Sequence, residues 1–257
     1  MKRILVTGSE GQLGKSLQKI AGNYNSLDFK FLDSIGLDIT KAKSVNSVFE
    51  SGNYDYCINC AAYTNVEQAE KTPERAFAVN ADGVNIIASA CKNNNVVLIH
   101  ISTDYVFDGK KTEGYLTTDL PNPINQYGMS KLAGENYVQE GLEKYFIIRT
   151  SWLYSEFGKN FYKTILLKAK AGDDLKITDD QTGCPTDANN LAVYILDLIK
   201  NDRTSYGVHH FTDGEAMTWY GFAQRILKEN NLEGKVKLDK DRNYRTFAKR
   251  PKNSVLL

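Results

Sequence analysis

The sequence has few of the residues that mark disulfide-linked, metal-rich or membrane-embedded proteins. Its 257 residues include only four cysteines and three histidines, and no apolar run approaches the ~20 residues of a membrane span. The 32 lysines and arginines balance 31 aspartates and glutamates, so no broad electrostatic attraction to nucleic acid or to an anionic membrane is expected. The first residues lead directly into a predicted strand and show no signal-peptide pattern. We therefore expect a cytoplasmic globular protein.

The cysteines and histidines offer little support for a metal site. Cys57 and Cys60 have a zinc-like spacing, but a zinc ion needs two further ligands, and neither a second cysteine pair nor a histidine cluster supplies them. His209 and His210 lie in a predicted strand, where neighbouring side chains point to opposite faces. His100 lies in an apolar run, which favours a satisfied core histidine over a ligand. We expect reduced cysteines and no metal.

The chain does contain a repeated alternation of short apolar strands and helices. Strands are predicted at 3–7, 29–32, 56–60, 96–101 and 145–149, and the helices between them at about 15–21, 42–50 and 73–92, with another starting at Tyr127. Alternation of this kind predicts an α/β protein with a parallel sheet and helices on both faces. The expected fold is a Rossmann-type doubly wound parallel sheet formed by residues 1–150.

Beyond Arg149 the pattern becomes less regular. Helices are predicted near 161–171, 188–200 and 219–230, with short strands near 175–178 and 208–211. We expect residues 151–257 to form mainly a smaller, partly interleaved α/β substrate domain. A segment at about 186–205 is expected to pack back on the first domain.

A glycine-rich turn lies between the first strand and the first helix. Gly8, Gly11 and Gly14 are spaced three apart, with Gln12 and Leu13 before the last glycine. In this context the first glycine permits a tight turn, the second allows the backbone to approach a pyrophosphate, and the third allows the helix to pack on the strand. The pattern predicts that a dinucleotide binds at the helix N-terminus.

Residues after the second and third strands are candidates for the rest of that cofactor site. Asp33 lies about 20 residues beyond the glycine turn, where an acidic side chain suits the adenosine ribose hydroxyls. Alternatively, Asp33 is a simple turn residue. Ser34 beside it could tolerate a 2′-phosphate, so the choice between NADH and NADPH stays open. The other candidates follow later strands or loops: Asp38, Ile39, Ala61, Ala62, Tyr63 and Thr64.

Tyr127 and Lys131 are four residues apart, so they share one face of the predicted helix. A phenol with a pKa near ~10 is a poor proton donor at neutral pH, and a nearby cation lowers that pKa. The pair therefore predicts a tuned acid for carbonyl reduction. The spacing alone also fits an ordinary surface helix. The catalytic interpretation is favoured because the carboxyl ends of the predicted parallel strands share one sheet edge, where ligands bind, and Ser102-Thr103-Asp104 follows one of these strands.

Seven segments in order along the chain carry a resemblance to a known family. They are Gly8–Gly14, Asn59–Glu67, Ser102–Gly109, Tyr127–Glu135, Arg149–Tyr154, Asp180–Thr186 and Arg250–Ser254. Together they resemble the extended short-chain dehydrogenase/reductases, and among these the reductases that act on dTDP-4-dehydro-L-rhamnose.

The resemblance implies reduction of the sugar C4 ketone by NADH or NADPH in nucleotide-sugar biosynthesis. It implies that Tyr127 donates a proton, that Lys131 lowers the tyrosine pKa and binds the nicotinamide ribose, and that Thr103 holds the carbonyl oxygen. The implied substrate contacts for the dTDP-sugar are Thr103, Asp104, Trp152, Arg250 and Asn253.

Two departures from the family bear on assembly. Some relatives dimerise around a magnesium ion held by glutamates, and the matching positions here are Ser16 and Asn189. The chain also stops at Leu257, where the family usually continues, so it is either a short member or truncated. We expect no metal and favour a monomer over a homodimer. The alternatives in function are a reductase or epimerase of another nucleotide keto-sugar, and a non-catalytic dinucleotide-binding regulatory subunit.

Overall fold

A computed structural model describes all 257 residues. The strands in chain order are β1 (Lys2–Thr7), β2 (Leu27–Leu32), β3 (Tyr56–Asn59), β4 (Val97–Thr103), β5 (Tyr145–Thr150), β6 (Leu153–Tyr154), β7 (Leu175–Ile177), β8 (Thr182–Gly183), β9 (Thr186–Asp187), β10 (Gly207–His210), β11 (Met217–Thr218) and β12 (Leu238–Lys240). The helices are α1 (Gln12–Ala21), α2 (Ala42–Gly52), α3 (Val66–Lys71), α4 (Pro73–Phe77), α5 (Gly83–Asn93), α6 (Gln126–Gly141), α7 (Phe161–Ala171), α8 (Ala188–Lys200) and α9 (Trp219–Glu229). A π-helical turn, Ala78–Asp82, joins α4 to α5.

Six strands form the central sheet in the order β10-β5-β4-β3-β1-β2. Every neighbouring pair is parallel, which confirms the predicted Rossmann-type doubly wound sheet. The predicted strand near 208–211 is also part of this sheet, although it comes after residue 150. That strand, β10, pairs with β5 at the sheet edge, and its His209 ring lies 5.4 Å from the Phe146 ring. Covering that edge removes unpaired backbone groups of β5 from solvent.

Helices cover both faces of the sheet because the strand side chains alternate in direction. On β1, Ile4 and Val6 join one apolar core, which also contains residues of α1 and α8. The intervening Leu5 joins the opposite core, which is closed by residues of α2 and α5. Strands buried on both faces explain the nearly continuous apolar runs in the sequence.

A third apolar core lies outside the sheet. It is built around Ile165 of α7, Leu175 of β7 and Phe222 of α9, and β12 pairs with β7 beside it. Helix α8 comes between these elements in sequence but packs against α1 on the sheet. No helix of the molecule combines the length and apolar character needed to cross a membrane.

Helix α6 approaches its neighbours closely through glycine. Its N-cap residue is Asn125, whose side-chain oxygen accepts a hydrogen bond from Gly128 N at 2.7 Å. A β carbon at Gly134 would collide with the backbone oxygen of Asn80 in the π-helical turn. The Asn80 side chain in turn holds the Tyr63 backbone through bonds of 2.8 and 2.9 Å. Contact between α6 and this turn therefore also positions the loop after β3.

We expect Gly134→Ala to destabilise the protein by about 1–3 kcal/mol, because overpacking forces backbone to shift. The control is Gly141→Ala at the end of the same helix, where an added β carbon meets no atom within 4 Å. That change should be neutral or slightly stabilising, since alanine favours helix over glycine. Urea unfolding of both variants measures the difference, and equal midpoints would contradict the close contact at Gly134.

Candidate active site

Two adjoining cavities run along the carboxyl ends of the parallel strands. The larger, of about 480 Å³, contains Thr103, Tyr127 and Lys131 in its lining. The smaller, of about 320 Å³, contains Asp33 and Asp38. Both cavities are bordered by the shared residues Glu10, Gly11, Cys60 and Ala62, so they form one elongated cleft. A sheet edge of this kind is where ligands bind in open α/β folds.

The glycine turn forms the centre of the cleft. Gly8 has φ of +65°, and a β carbon there would lie 2.6 Å from Ala61 N. At Gly14 a β carbon would lie 2.5 Å from Ser9 O. Helix α1 starts at Gln12 with no side-chain cap and no acidic residue in its first turn. Its first N–H groups therefore remain available to an anion, and the turn fits a dinucleotide pyrophosphate.

The smaller cavity fits the adenosine half of a dinucleotide. Asp33 lines it, but its Oδ1 also accepts hydrogen bonds from Ile35 N (3.0 Å) and Gly36 N (2.7 Å). Asp33 therefore stabilises a turn, as the alternative interpretation predicted, and it also lines the cleft. No lysine or arginine lines this cavity, which holds the rest of the predicted adenosine-side residues: Gly8, Asp38, Ile39, Ala61 and Tyr63.

The larger cavity brings together the proposed proton-handling groups with Gln12, Leu13 and Thr64. Thr103 Oγ1 donates to Asp104 Oδ1 at 3.0 Å. Tyr127 lies edge-on to the Tyr105 ring, with ring centres 5.7 Å apart. Burial raises the pKa of Tyr127 above its ordinary value, while the neighbouring Thr103 hydroxyl acts in the opposite direction. The phenol is therefore fully protonated near neutral pH.

Lys131 is almost completely buried, with 2% of its surface exposed. Its Nζ donates to Ile101 O at 2.7 Å and lies 3.4 Å from His100 Nε2. Burial lowers the pKa of Lys131 to about 8. The expected lowering of the Tyr127 pKa by this lysine is not what the structure shows, because desolvation dominates for both groups and favours both neutral forms.

Asp104 and Trp152, two of the predicted substrate contacts, line the larger cavity. Burial raises the pKa of Asp104 to about 7, and its Oδ2 has no hydrogen-bond partner. Trp152 has a left-handed backbone (φ +47°). Its ring stacks on Trp219 at 3.5 Å between ring centres. Asp104 thus offers an unpaired oxygen to a ligand, and Trp152 contributes its ring to the cavity lining.

Of the five predicted substrate contacts, Arg250 and Asn253 do not line the cleft. Arg250 Nη2 contacts Glu67 Oε1 at 2.9 Å, and its Nη1 is 3.4 Å from Tyr105 OH. The amide of Asn253 donates to the backbone oxygens of Lys111 and Thr112 at 2.7 and 2.9 Å. Asn253 therefore holds a loop in this structure, whereas Arg250 lies beside the ring that contacts Tyr127.

Sequence reasoning missed several residues of the cleft. Cys60, Ser151 and Lys159 line the larger cavity, and Lys159 adds a cation near the glycine turn. The only signal for Lys159 was its place in the aromatic and glycine-rich loop 152–160. His100 was interpreted as a core histidine, and its contact with Lys131 depends on the folded sheet.

A glycine turn at the first strand of a parallel sheet, with threonine, tyrosine and lysine grouped in one cleft, defines a nicotinamide-dependent oxidoreductase of the short-chain dehydrogenase/reductase class. The family described as RmlD substrate binding domain matches residues 1–257. The chain is 39% identical to the dTDP-4-dehydrorhamnose reductase of Aggregatibacter actinomycetemcomitans, covering 100% of this chain and 90% of that relative. It is 37% identical to the Escherichia coli (strain K12) reductase, covering 98% and 88%.

Among solved structures, the dTDP-4-dehydrorhamnose reductase of Bacillus anthracis in complex with NADP has a TM-score of 0.96 and 40% identity. The match covers 100% of this chain and 91% of that chain. This chain belongs to the dTDP-4-dehydrorhamnose reductase family.

The acidic lining of the adenosine cavity predicts the cofactor preference. We expect NADH to be used at least as well as NADPH, because a 2′-phosphate would meet the Asp33 carboxylate without a compensating cation. Asp33→Asn keeps an oxygen for the Ile35 and Gly36 N–H groups but removes the charge. It should shift the ratio of kcat/KM values towards NADPH by roughly tenfold.

The control is Asp28→Asn, at the opposite end of β2, where the carboxylate contacts Arg3 at 3.3 Å. Steady-state kinetics with both cofactors measure the ratio in each variant. An unchanged ratio in Asp33→Asn would leave Asp33 with its turn role alone.

Proposed function

We propose that this protein reduces the C4 ketone of dTDP-4-dehydro-L-rhamnose to give dTDP-L-rhamnose, with NADH or NADPH as reductant. The observation that carries the proposal is the grouping of Thr103, Tyr127 and Lys131 in one cavity beside the glycine turn. Family membership over the whole chain supports the substrate class. The bound nicotinamide supplies hydride to the ketone carbon.

The proposed roles follow from the protonation states of the side chains. Tyr127 donates its proton to the developing alkoxide, since burial keeps the phenol protonated until that step. The Thr103 hydroxyl holds the carbonyl oxygen after turning from Asp104. Lys131, when protonated, stabilises the tyrosinate that proton donation leaves behind and contacts the nicotinamide ribose.

Of the proposed substrate contacts, Asp104 and Trp152 line the larger cavity, and Arg250 lies next to Tyr105, whose ring contacts Tyr127. Asp104 has a buried oxygen without a partner, suited to a sugar hydroxyl. Trp152 and Trp219 present a stacked aromatic surface. Arg250 has a buried Nε without a partner, and its planar fork suits the oxygens of a diphosphate.

We also propose a division of labour along the chain. Residues 1–150, with α8 and β10, form the dinucleotide-binding part, and the other elements after residue 150 mainly bind substrate. A monomer is favoured because the positions of the family's metal ligands are taken by Ser16, which is buried, and by Asn189. The Asn189 amide donates to Glu156 Oε2 at 3.0 Å and to Asp187 Oδ1 at 2.9 Å.

Turnover with the keto-sugar and both cofactors tests the activity. We expect cofactor oxidation that depends on dTDP-4-dehydro-L-rhamnose, and Tyr127→Phe should lower kcat by ~10²-fold or more while dinucleotide affinity stays nearly unchanged. Tyr137→Phe, farther along α6 and outside the cleft, is the control.

Turnover only with another dTDP-keto-sugar would favour the related reductase or epimerase, and dinucleotide binding without turnover would favour the regulatory subunit. Near-normal kcat in Tyr127→Phe would remove this residue as the proton donor.

Arg250 provides a separate test of the substrate class. Losing a charge-assisted hydrogen bond to a diphosphate costs about 1.5–3 kcal/mol, so Arg250→Ala should raise the substrate KM roughly ten- to hundredfold. Dinucleotide affinity should hardly change, because the cofactor phosphates lie at the glycine turn. The control is Lys252→Ala, an exposed lysine in the same basic segment.

Glu67→Gln completes the comparison, since it weakens the ion pair that holds Arg250 in this structure. Substrate KM and the NADH dissociation constant are measured side by side in all three variants. If Arg250→Ala behaves like Lys252→Ala, the segment does not contact the substrate.

A further inference from the structure

Three adjacent strands place polar side chains at the same level beneath the cleft. In the sheet register Thr7 of β1 is opposite Asn59 of β3, which is opposite His100 of β4. All three are buried, with at most 1% of their surface exposed. Thr7 Oγ1 donates to Asn59 Oδ1 at 2.6 Å, and Asn59 Nδ2 lies 3.2 Å from His100 Nδ1. The row ends at Lys131, whose Nζ lies 3.4 Å from His100 Nε2.

The orientation of the Asn59 amide is fixed by backbone. Its Oδ1 accepts a hydrogen bond from Ala61 N at 3.3 Å as well as from Thr7. A backbone N–H can only donate, so the atom that faces it must be the amide oxygen. The amide nitrogen must then face His100, and it can only donate to the ring.

This donor determines the tautomer of His100. Nδ1 has to accept from Asn59 and therefore carries no hydrogen. Burial lowers the pKa of His100 well below its ordinary value, so the ring is neutral and its single hydrogen is on Nε2. The ring thus presents an N–H, and not a lone pair, to Lys131. A lysine ammonium has only donors and gains no hydrogen bond from that N–H, whereas a neutral amine accepts it.

We propose that His100 is a positioning residue that fixes Lys131 and destabilises its ammonium form by directing an N–H at Nζ. In its neutral form the amine donates to Ile101 O and accepts from His100, so its position is fixed while one N–H remains for the cleft. The effect on catalysis rests on the proposed function, because it acts through the lysine that supports Tyr127.

Among the other groups around Lys131, Glu135 and Cys60 favour its ammonium form, but burial outweighs them. Glu135, one turn further along α6, is paired with Arg149 at 2.6 Å and accepts from Ser102. Burial raises the pKa of the Cys60 thiol and the pKa of Tyr127, so both stay uncharged. Asp104 lines the same cavity, and burial moves it towards the acid form. No free carboxylate contacts the lysine.

The first experiment reads the tautomer directly. Long-range proton–nitrogen NMR of ¹⁵N-histidine-labelled protein distinguishes a protonated ring nitrogen from a bare one. We expect His100 to carry its hydrogen on Nε2, with a bare Nδ1, at every pH from about 6 to about 9. This interval spans the ordinary pKa of histidine and the lowered pKa of Lys131. A hydrogen on Nδ1, or a ring that becomes cationic in this range, would overturn the proposal. This measurement does not depend on turnover.

The second experiment uses His100→Gln, whose amide oxygen can accept from an ammonium. The pH dependence of kcat/KM for the dinucleotide reports ionisations of the free protein. We expect the alkaline limb, where Lys131 loses its proton, to move upward by roughly one pH unit. His209→Gln is the control, because His209 lies on β10 and contacts Tyr194 OH and Ser205 O instead.

The outcomes separate the inference from the proposed function. An unchanged alkaline limb in folded His100→Gln would show that this histidine does not set the lysine's protonation. A wild-type protein without keto-sugar turnover would contradict the proposed function, while the tautomer measurement would still decide the arrangement of His100.

Discussion

A buried ion pair between Glu135 on α6 and Arg149 on β5 fixes the helix on which the cleft depends. Arg149 contacts Glu135 through Nε at 3.0 Å and Nη2 at 2.6 Å, and neither side chain exposes more than 3% of its surface. Breaking such a pair costs about 3–5 kcal/mol, because it leaves a buried charge uncompensated. Tyr127, Lys131 and Glu135 recur every four residues, so the pair sets the height and rotation of the whole inward face.

The parts of the site that sequence could predict are those encoded by local rules. The glycine turn and the Tyr127–Lys131 spacing each need only a few consecutive residues and the element they belong to. Their meeting at one sheet edge followed from parallel topology, since carboxyl ends of parallel strands share an edge. Helices α7 and α8 likewise have the predicted bounds, because their apolar spacing reports directly on the buried face.

The features that sequence did not predict depend on contacts between distant segments. Strand β10 lies in the less regular part of the sequence after Arg149, yet it pairs with β5. Arg250 contacts Glu67, 183 positions away, and no local sequence pattern predicts that contact. His100 looked like any core histidine, and only the register of β1, β3 and β4 shows which atoms its ring contacts.

Burial explains why the charge state of this site responds to what enters it. Desolvation moves the pKa of Asp104 up to about 7 and that of Lys131 down to about 8, and it keeps Tyr127 protonated, so each group is displaced towards its neutral form. A dinucleotide and a nucleotide diphosphate both bring negative charge into the cleft, which favours the ammonium form of Lys131 and the acid form of Asp104. Anionic ligands therefore increase the fraction of Lys131 in the ammonium form that a tyrosinate requires.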